Sequence, residues 1–123
     1  MLIDKEIFRA YDIRGIVGPQ LNEAVMKRLG YAIAQQLKIL DRQQITIGRD
    51  ARLSGELLSK ALAEGLQVGG IHVIDIGVVS TPILYYATSA TVVDSGLMVT
   101  GSHNPAEYNG LKMVLAGTTL CQP

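Results

Sequence analysis

The run Thr100-Gly-Ser-His-Asn-Pro105 sets a hydroxyl on Ser102, an imidazole on His103 and a carboxamide on Asn104 in consecutive positions, with the cation Lys112 shortly after. A hydroxyl becomes a useful nucleophile or group carrier when a base or cations stand beside it. The stretch is longer than a tight hairpin requires, and long ordered loops are often functional. Its Gly, Ser, Asn and Pro are also turn formers, so composition alone favours a plain connection between two strands. A hydrolase fits poorly: Ser102 lies outside any G-x-S-x-G elbow, and adjacent Ser102 and His103 point to opposite sides of an extended segment. Metal binding by protein side chains alone fits poorly too, because His72 and His103 have no carboxylate cluster beside them. Neither glycine-rich phosphate fingerprint, G-x-G-x-x-G or G-x-x-x-x-G-K-[ST], is present. Arg49, Asp50 and Arg52 read as a local ion pair and helix-start residues. Tyr11-Asp-Ile-Arg-Gly15 reads as an edge strand and turn. His72, at the head of an apolar run, is expected to be partly buried.

The elements that must position these groups alternate. Val25, Met26, Leu29, Ile33, Leu37 and Leu40 recur at helical spacing behind an Asn22 N-cap, with Leu21 placed to staple against Met26. A second helix begins at Ser54, carries Leu57, Leu58, Ala61, Leu62, Leu66 and Val68, and stops at Gly69-Gly70. A third starts at Thr81-Pro82, where proline suits the first helical turn. Between them lie β-branched apolar runs at Ile45–Ile47, Ile71–Ile76, Leu97–Val99 and Leu111–Leu115. Such alternation predicts an α/β fold: a three-layer α/β/α sandwich on a mixed, mainly parallel sheet. In an open α/β sheet, ligands sit beyond the carboxyl ends of parallel strands. If the strands are parallel, the loops at Gly48–Arg52 and Thr100–Pro105 therefore share one rim.

The 123 residues suit one domain, spanning 1–123. With 48% hydrophobic and 18% charged residues, the chain is too apolar for a disordered segment. Eleven Lys+Arg balance eleven Asp+Glu, which argues against a nucleic-acid or membrane-surface partner. The single cysteine, Cys121, excludes an intrachain disulfide and suits a reducing compartment. No signal peptide is visible at Met1–Phe8, and Ile76–Val93 holds too many hydroxyls for a hydrocarbon core. The expectation is a soluble, cytoplasmic domain.

Taken together, Phe8-Arg-Ala-Tyr-Asp-Ile-Arg-Gly15, Gly48-Arg-Asp-Ala-Arg-Leu-Ser-Gly55, Thr100-Gly-Ser-His-Asn-Pro105 and Tyr108-Asn-Gly-Leu-Lys112 resemble, in order, the first domain of the α-D-phosphohexomutases. The likeness is strongest to their bacterial phosphomannomutase/phosphoglucomutase branch and covers nearly the whole chain. The resemblance implies that Ser102 carries a phosphoryl group between C1 and C6 of mannose or glucose phosphates through a hexose 1,6-bisphosphate. It makes Ser102, Arg14, Lys112 and His103 catalytic, and Tyr11, Arg14, Asn104 and Lys112 substrate-binding. Ser102 would also ligate magnesium through its phosphoryl group, with glucose 1,6-bisphosphate as activator. The physics is compatible, since phosphoryl transfer asks mainly for positioning and charge stabilisation.

The family is built of four domains, and its other magnesium ligands, sugar-discriminating loop and second phosphate loop lie beyond the first. The expectation is therefore a truncated first domain, inactive alone, whose partners are hexose phosphates and the missing domains. Self-association through an exposed interdomain face is expected as well. Two other readings remain open: a stand-alone phosphosugar-binding or interaction domain without catalysis, and a fragment of a phosphoglucosamine mutase.

Overall fold

Right-handed crossovers dictate the layering of this chain. A computed structural model describes residues 13–101 and 104–119. They run β1 (Ile13–Ile16), α1 (Glu23–Ile39), β2 (Gln44–Arg49), α2 (Gly55–Val68), β3 (His72–Val78), α3 (Thr81–Ala90), β4 (Gly96–Val99), β5 (Tyr108–Leu115) and β6 (Thr118–Thr119). The sheet order is β1-β5-β4-β2-β3, with β6 paired to β5. β2 pairs parallel with β3 and β4, whereas β5 runs antiparallel to β4 and β1. Passing from β1 to β2 to β3 moves one way along the sheet, and β3 to β4 steps back across β2. Right-handed connections therefore put α1 and α2 on one face and α3 on the other. The link from β4 to β5 is too short for a crossover helix, so β5 returns antiparallel. The α/β/α sandwich read from the alternation is the observed architecture.

Strand pleating divides the core between the two faces. Ile45, Ile47, Leu97, Val99, Leu111 and Leu115 pack with Val25, Met26, Leu29, Ile33, Leu37, Leu58, Leu62 and Leu66 of α1 and α2. Met98 of β4 points the other way, to the side where Leu84 and Thr88 of α3 approach Gly96. The two helices α1 and α2 touch backbone to backbone, because a Cβ on Gly65 would collide with the Lys27 carbonyl.

Local signals explain the boundaries. The Asn22 side chain accepts from the Val25 amide at 3.0 Å, and Leu21 and Met26 are both fully buried. α2 ends with Gly70 at φ 88°, the left-handed stop that glycine supplies. Pro82 lies in the first turn of α3. β3 departs from expectation: it is an edge strand, so His72 is exposed and the apolar run behind it only half-covered. On α3, Ile83 and Tyr86 are also exposed.

At the end of the sheet where β2 and β4 begin, Arg42 grips Asp94 with two bonds, Nε to Oδ1 at 2.9 Å and Nη2 to Oδ2 at 3.0 Å. The same guanidinium donates to the Leu40 carbonyl at 2.9 Å. These bonds tie the turn after α1 to the turn before β4. The hydrogen bond from Arg42 holds the Asp94 carboxyl below its ordinary value, and Asp94 in turn raises Arg42. A carboxylate whose folded pKa is depressed stabilises the fold fully above about pH 4 and progressively loses that contribution below it. Asp94→Asn is expected to be less stable than wild type at pH 7, with the gap closing as pH falls to about 3. Urea unfolding at both pH values checks this, and a gap independent of pH contradicts it.

Candidate functional site

Because β2 and β4 are parallel neighbours with Arg49 opposite Val99, the chain leaves both strands at the same edge. The Asp50 amide continues the pairing by donating to the Val99 carbonyl at 3.0 Å. The Asp50 carboxylate then collects the start of the next loop. Its Oδ2 accepts from Thr100 Oγ1 at 2.8 Å and from the Gly101 amide at 3.1 Å. Its Oδ1 accepts the Arg52 amide at 3.1 Å.

Arg52 reaches across to the far side of that loop. Nη1 donates to the carbonyls of Pro105 at 2.7 Å and Tyr108 at 3.1 Å, and Nη2 donates to the Asn104 carbonyl at 2.7 Å. Its Nε lies 3.5 Å from Asp50 Oδ2. Gly101 is required directly beneath, since a Cβ there would strike the guanidinium. The Asn104 amide and its side-chain nitrogen both donate to the Gly101 carbonyl, at 3.0 and 2.9 Å. These bonds draw Gly101 and Asn104 together.

The two other sequence-predicted cations stand on the sheet beside this loop. Arg14 lies opposite Gly110, and Lys112 opposite Met98. The Thr100 amide donates to the Gly110 carbonyl at 3.0 Å. Arg14, Gly110 and Thr100 thus line up across three strands, with Lys112 diagonal to Arg14 at ~7–8 Å between backbones. Pleating sends Arg14 and Lys112 to the α3 face, where both are partly buried. Gly110 permits the approach of β1, because a Cβ there would meet the Ile13 carbonyl.

Of the six residues proposed for the site, the structure brings Arg14, Asn104 and Lys112 to one rim; Tyr11, Ser102 and His103 lie outside the described residues. The ion pair expected between Asp50 and Arg52 is present, but sequence reasoning missed their reach to the loop. The available signal was the shared rim, which set an arginine beside the loop's backbone carbonyls. Ser54 has a further role: its hydroxyl accepts from fully buried Asn109 at 2.8 Å. Among the described residues, no cluster of three His, Cys, Asp or Glu side chains could hold a metal ion. No helix among them is long and apolar enough to cross a membrane.

Residues 5–122 match the family described as phosphoglucomutase/phosphomannomutase, alpha/beta/alpha domain I. The chain belongs to this family. A phosphomannomutase/phosphoglucomutase of Pseudomonas putida is 50% identical over 114 residues, which is 93% of this chain and 25% of that protein. A phosphoglucomutase of Neisseria gonorrhoeae is 48% identical over 118 residues, covering 96% of this chain and 26% of its own length. The crystal structure of a phosphoglucomutase/phosphomannomutase family protein from Burkholderia thailandensis superposes with a TM-score of 0.90 at 44% identity, over 94% of this chain and 27% of that one. This domain I chain therefore spans about a quarter of the length of the curated relatives it matches.

The close approach at Gly110 generates a test. Gly110→Ala should force β1 off β5 and cost about 1–3 kcal/mol, the usual range for overpacking. Hydrogen exchange should show Ile13–Ile16 losing protection while α1 keeps it; unchanged exchange in β1 would contradict the steric account.

Proposed function

We propose that this chain is the phosphoryl-carrying domain of a phosphohexomutase acting on glucose or mannose phosphates. The observation that carries the reading is the placement of Arg14 and Lys112 on one face beside a loop anchored at both of its stems. Family membership and the names of the relatives support it. In the first half-reaction, the Oγ–P bond of phosphorylated Ser102 breaks as phosphorus bonds to the free hydroxyl at C1 or C6. The hydroxyl's proton passes through a basic side chain, His103 or Lys112, and ends on Ser102 Oγ. In the second half the other phosphate of the hexose 1,6-bisphosphate returns to Ser102, and the proton returns to the sugar oxygen left behind.

Arg14 offers a planar fork to phosphoryl oxygens and Lys112 a point charge, so the two stabilise spreading negative charge in complementary ways. Asn104 and Tyr11 orient the sugar phosphate. Magnesium, when bound, would neutralise charge on the phosphoseryl group; the described residues supply no carboxylate cluster for it. Glucose 1,6-bisphosphate acts as activator by charging Ser102. Since the chain spans about a quarter of its relatives, we also propose that it turns over substrate negligibly alone. A half-reaction on Ser102 is the activity expected of it.

Incubation with magnesium and glucose 1,6-bisphosphate, followed by intact-mass measurement and peptide mapping, should place one phosphoryl group on Ser102 and none on Ser102→Ala. Saturable binding of the bisphosphate with no label would favour a phosphosugar-binding domain without chemistry. In a full-length protein carrying this domain, Lys112→Ala should lower turnover by about two to three orders of magnitude, as loss of one oxyanion donor does. A near-normal rate would remove Lys112 from the reaction.

A further inference from the structure

The Asp50–Arg52 pair is built in a way that a surface ion pair is not. The side chains are only 27% and 18% exposed, and both reach one loop. Asp50 holds its first stem, through Thr100 Oγ1 and the Gly101 amide. Arg52 holds its second stem, through the carbonyls of Asn104, Pro105 and Tyr108. The two side chains then meet each other at 3.5 Å. A guanidinium presents its donors in a rigid plane, and here three of them point at backbone oxygens of the loop and its return into β5.

We infer that Asp50 and Arg52 form a two-sided clamp that holds the loop's two stems, residues 100–101 and 104–108, and that Arg52 is a positioning residue for the Ser102 phosphoryl group, acting through backbone carbonyls. The positioning role rests on the reading of Ser102 as phosphoryl carrier, while the clamp itself rests on geometry alone. An arginine beside a phosphate-handling loop invites assignment as a phosphate ligand. The geometry assigns it differently, because its donors turn toward the protein's own carbonyls. Gly101 fits the same account: only hydrogen leaves space for the guanidinium to lie across the first stem on its way to the second.

Lysine separates the two assignments. It would keep the charge and its attraction to Asp50, but it cannot supply a planar fork to three carbonyls. The clamp therefore requires Arg52→Lys to loosen the loop amides as Arg52→Ala does, whereas loss of a phosphate ligand would leave those amides at their wild-type exchange in both variants. In hydrogen exchange on the 123-residue chain, both variants should speed exchange at Gly101, Asn104 and Tyr108 by about tenfold or more, given what hydrogen bonds to charged groups contribute. Exchange across α1 should stay unchanged, which reports an intact fold. Gly101→Ala should loosen the same amides with Arg52 in place, and it serves if either Arg52 variant fails to fold.

The second readout is the rate at which glucose 1,6-bisphosphate labels Ser102. Both Arg52 variants should lower the saturating rate by about tenfold or more and leave the half-saturating concentration unchanged. Wild-type exchange at the loop amides with lysine in place of arginine would overturn the clamp. A raised half-saturating concentration at an unchanged saturating rate would make Arg52 a substrate contact and overturn the positioning role. If wild type takes no label, the carrier reading falls and the positioning role falls with it, while the exchange result still decides the clamp.

Discussion

A loop that leaves a sheet edge must find partners for backbone groups that the next strand no longer satisfies. In this protein that constraint is met by two side chains from the neighbouring strand's own exit. Asp50 accepts from the outgoing stem and Arg52 donates to the returning one. The arrangement depends on β2 and β4 being adjacent and parallel, so that both exits fall on one rim. That adjacency depends in turn on the chain reversing direction across the sheet after β3, which sends α3 to the opposite face. The site is thus a consequence of strand order, and the strand order is enforced by connection handedness and two separate apolar layers.

The two ends of the sheet divide the work. Where β2 and β4 begin, Arg42 and Asp94 join two turns. Where they end, Asp50 and Arg52 join a turn to a long loop beside Arg14 and Lys112. Both pairs set an arginine against an aspartate, and both arginines also donate to backbone carbonyls. What differs is the length and content of the segment being held.

Periodic and capping signals were the most legible part of the sequence. Helices α1 and α2, the Asn22 cap and the stop at Gly69-Gly70 depend on residues within one or two turns of each other. The edge status of β3 was not legible, because Ile71-His-Val-Ile-Asp-Ile76 is as apolar as a central strand. Nothing local records that the run lies outermost. The β1 edge strand was legible, since Tyr11-Asp-Ile-Arg-Gly15 reads as an edge strand and turn and Ile13–Ile16 lies at the sheet edge. The rim shared by the loops at Gly48–Arg52 and Thr100–Pro105 followed from topology. The partners of Arg52 did not, because its contacts lie more than fifty positions away and involve backbone oxygens that no side-chain pattern encodes.

That last gap has a physical lesson for reading cations in such sites. Charge attracts phosphate at a distance, but a guanidinium whose donors are already engaged by carbonyls gains little by turning outward. Arg52 is held by three such bonds and by its aspartate, so moving it would expose several unsatisfied groups at once. Lys112 is placed differently, on a strand register position that faces the α3 side of the sheet next to Met98. Two cations on one rim therefore serve separate ends. Lys112 faces the side where Arg14 also stands, and Arg52 faces the backbone carbonyls of Asn104, Pro105 and Tyr108.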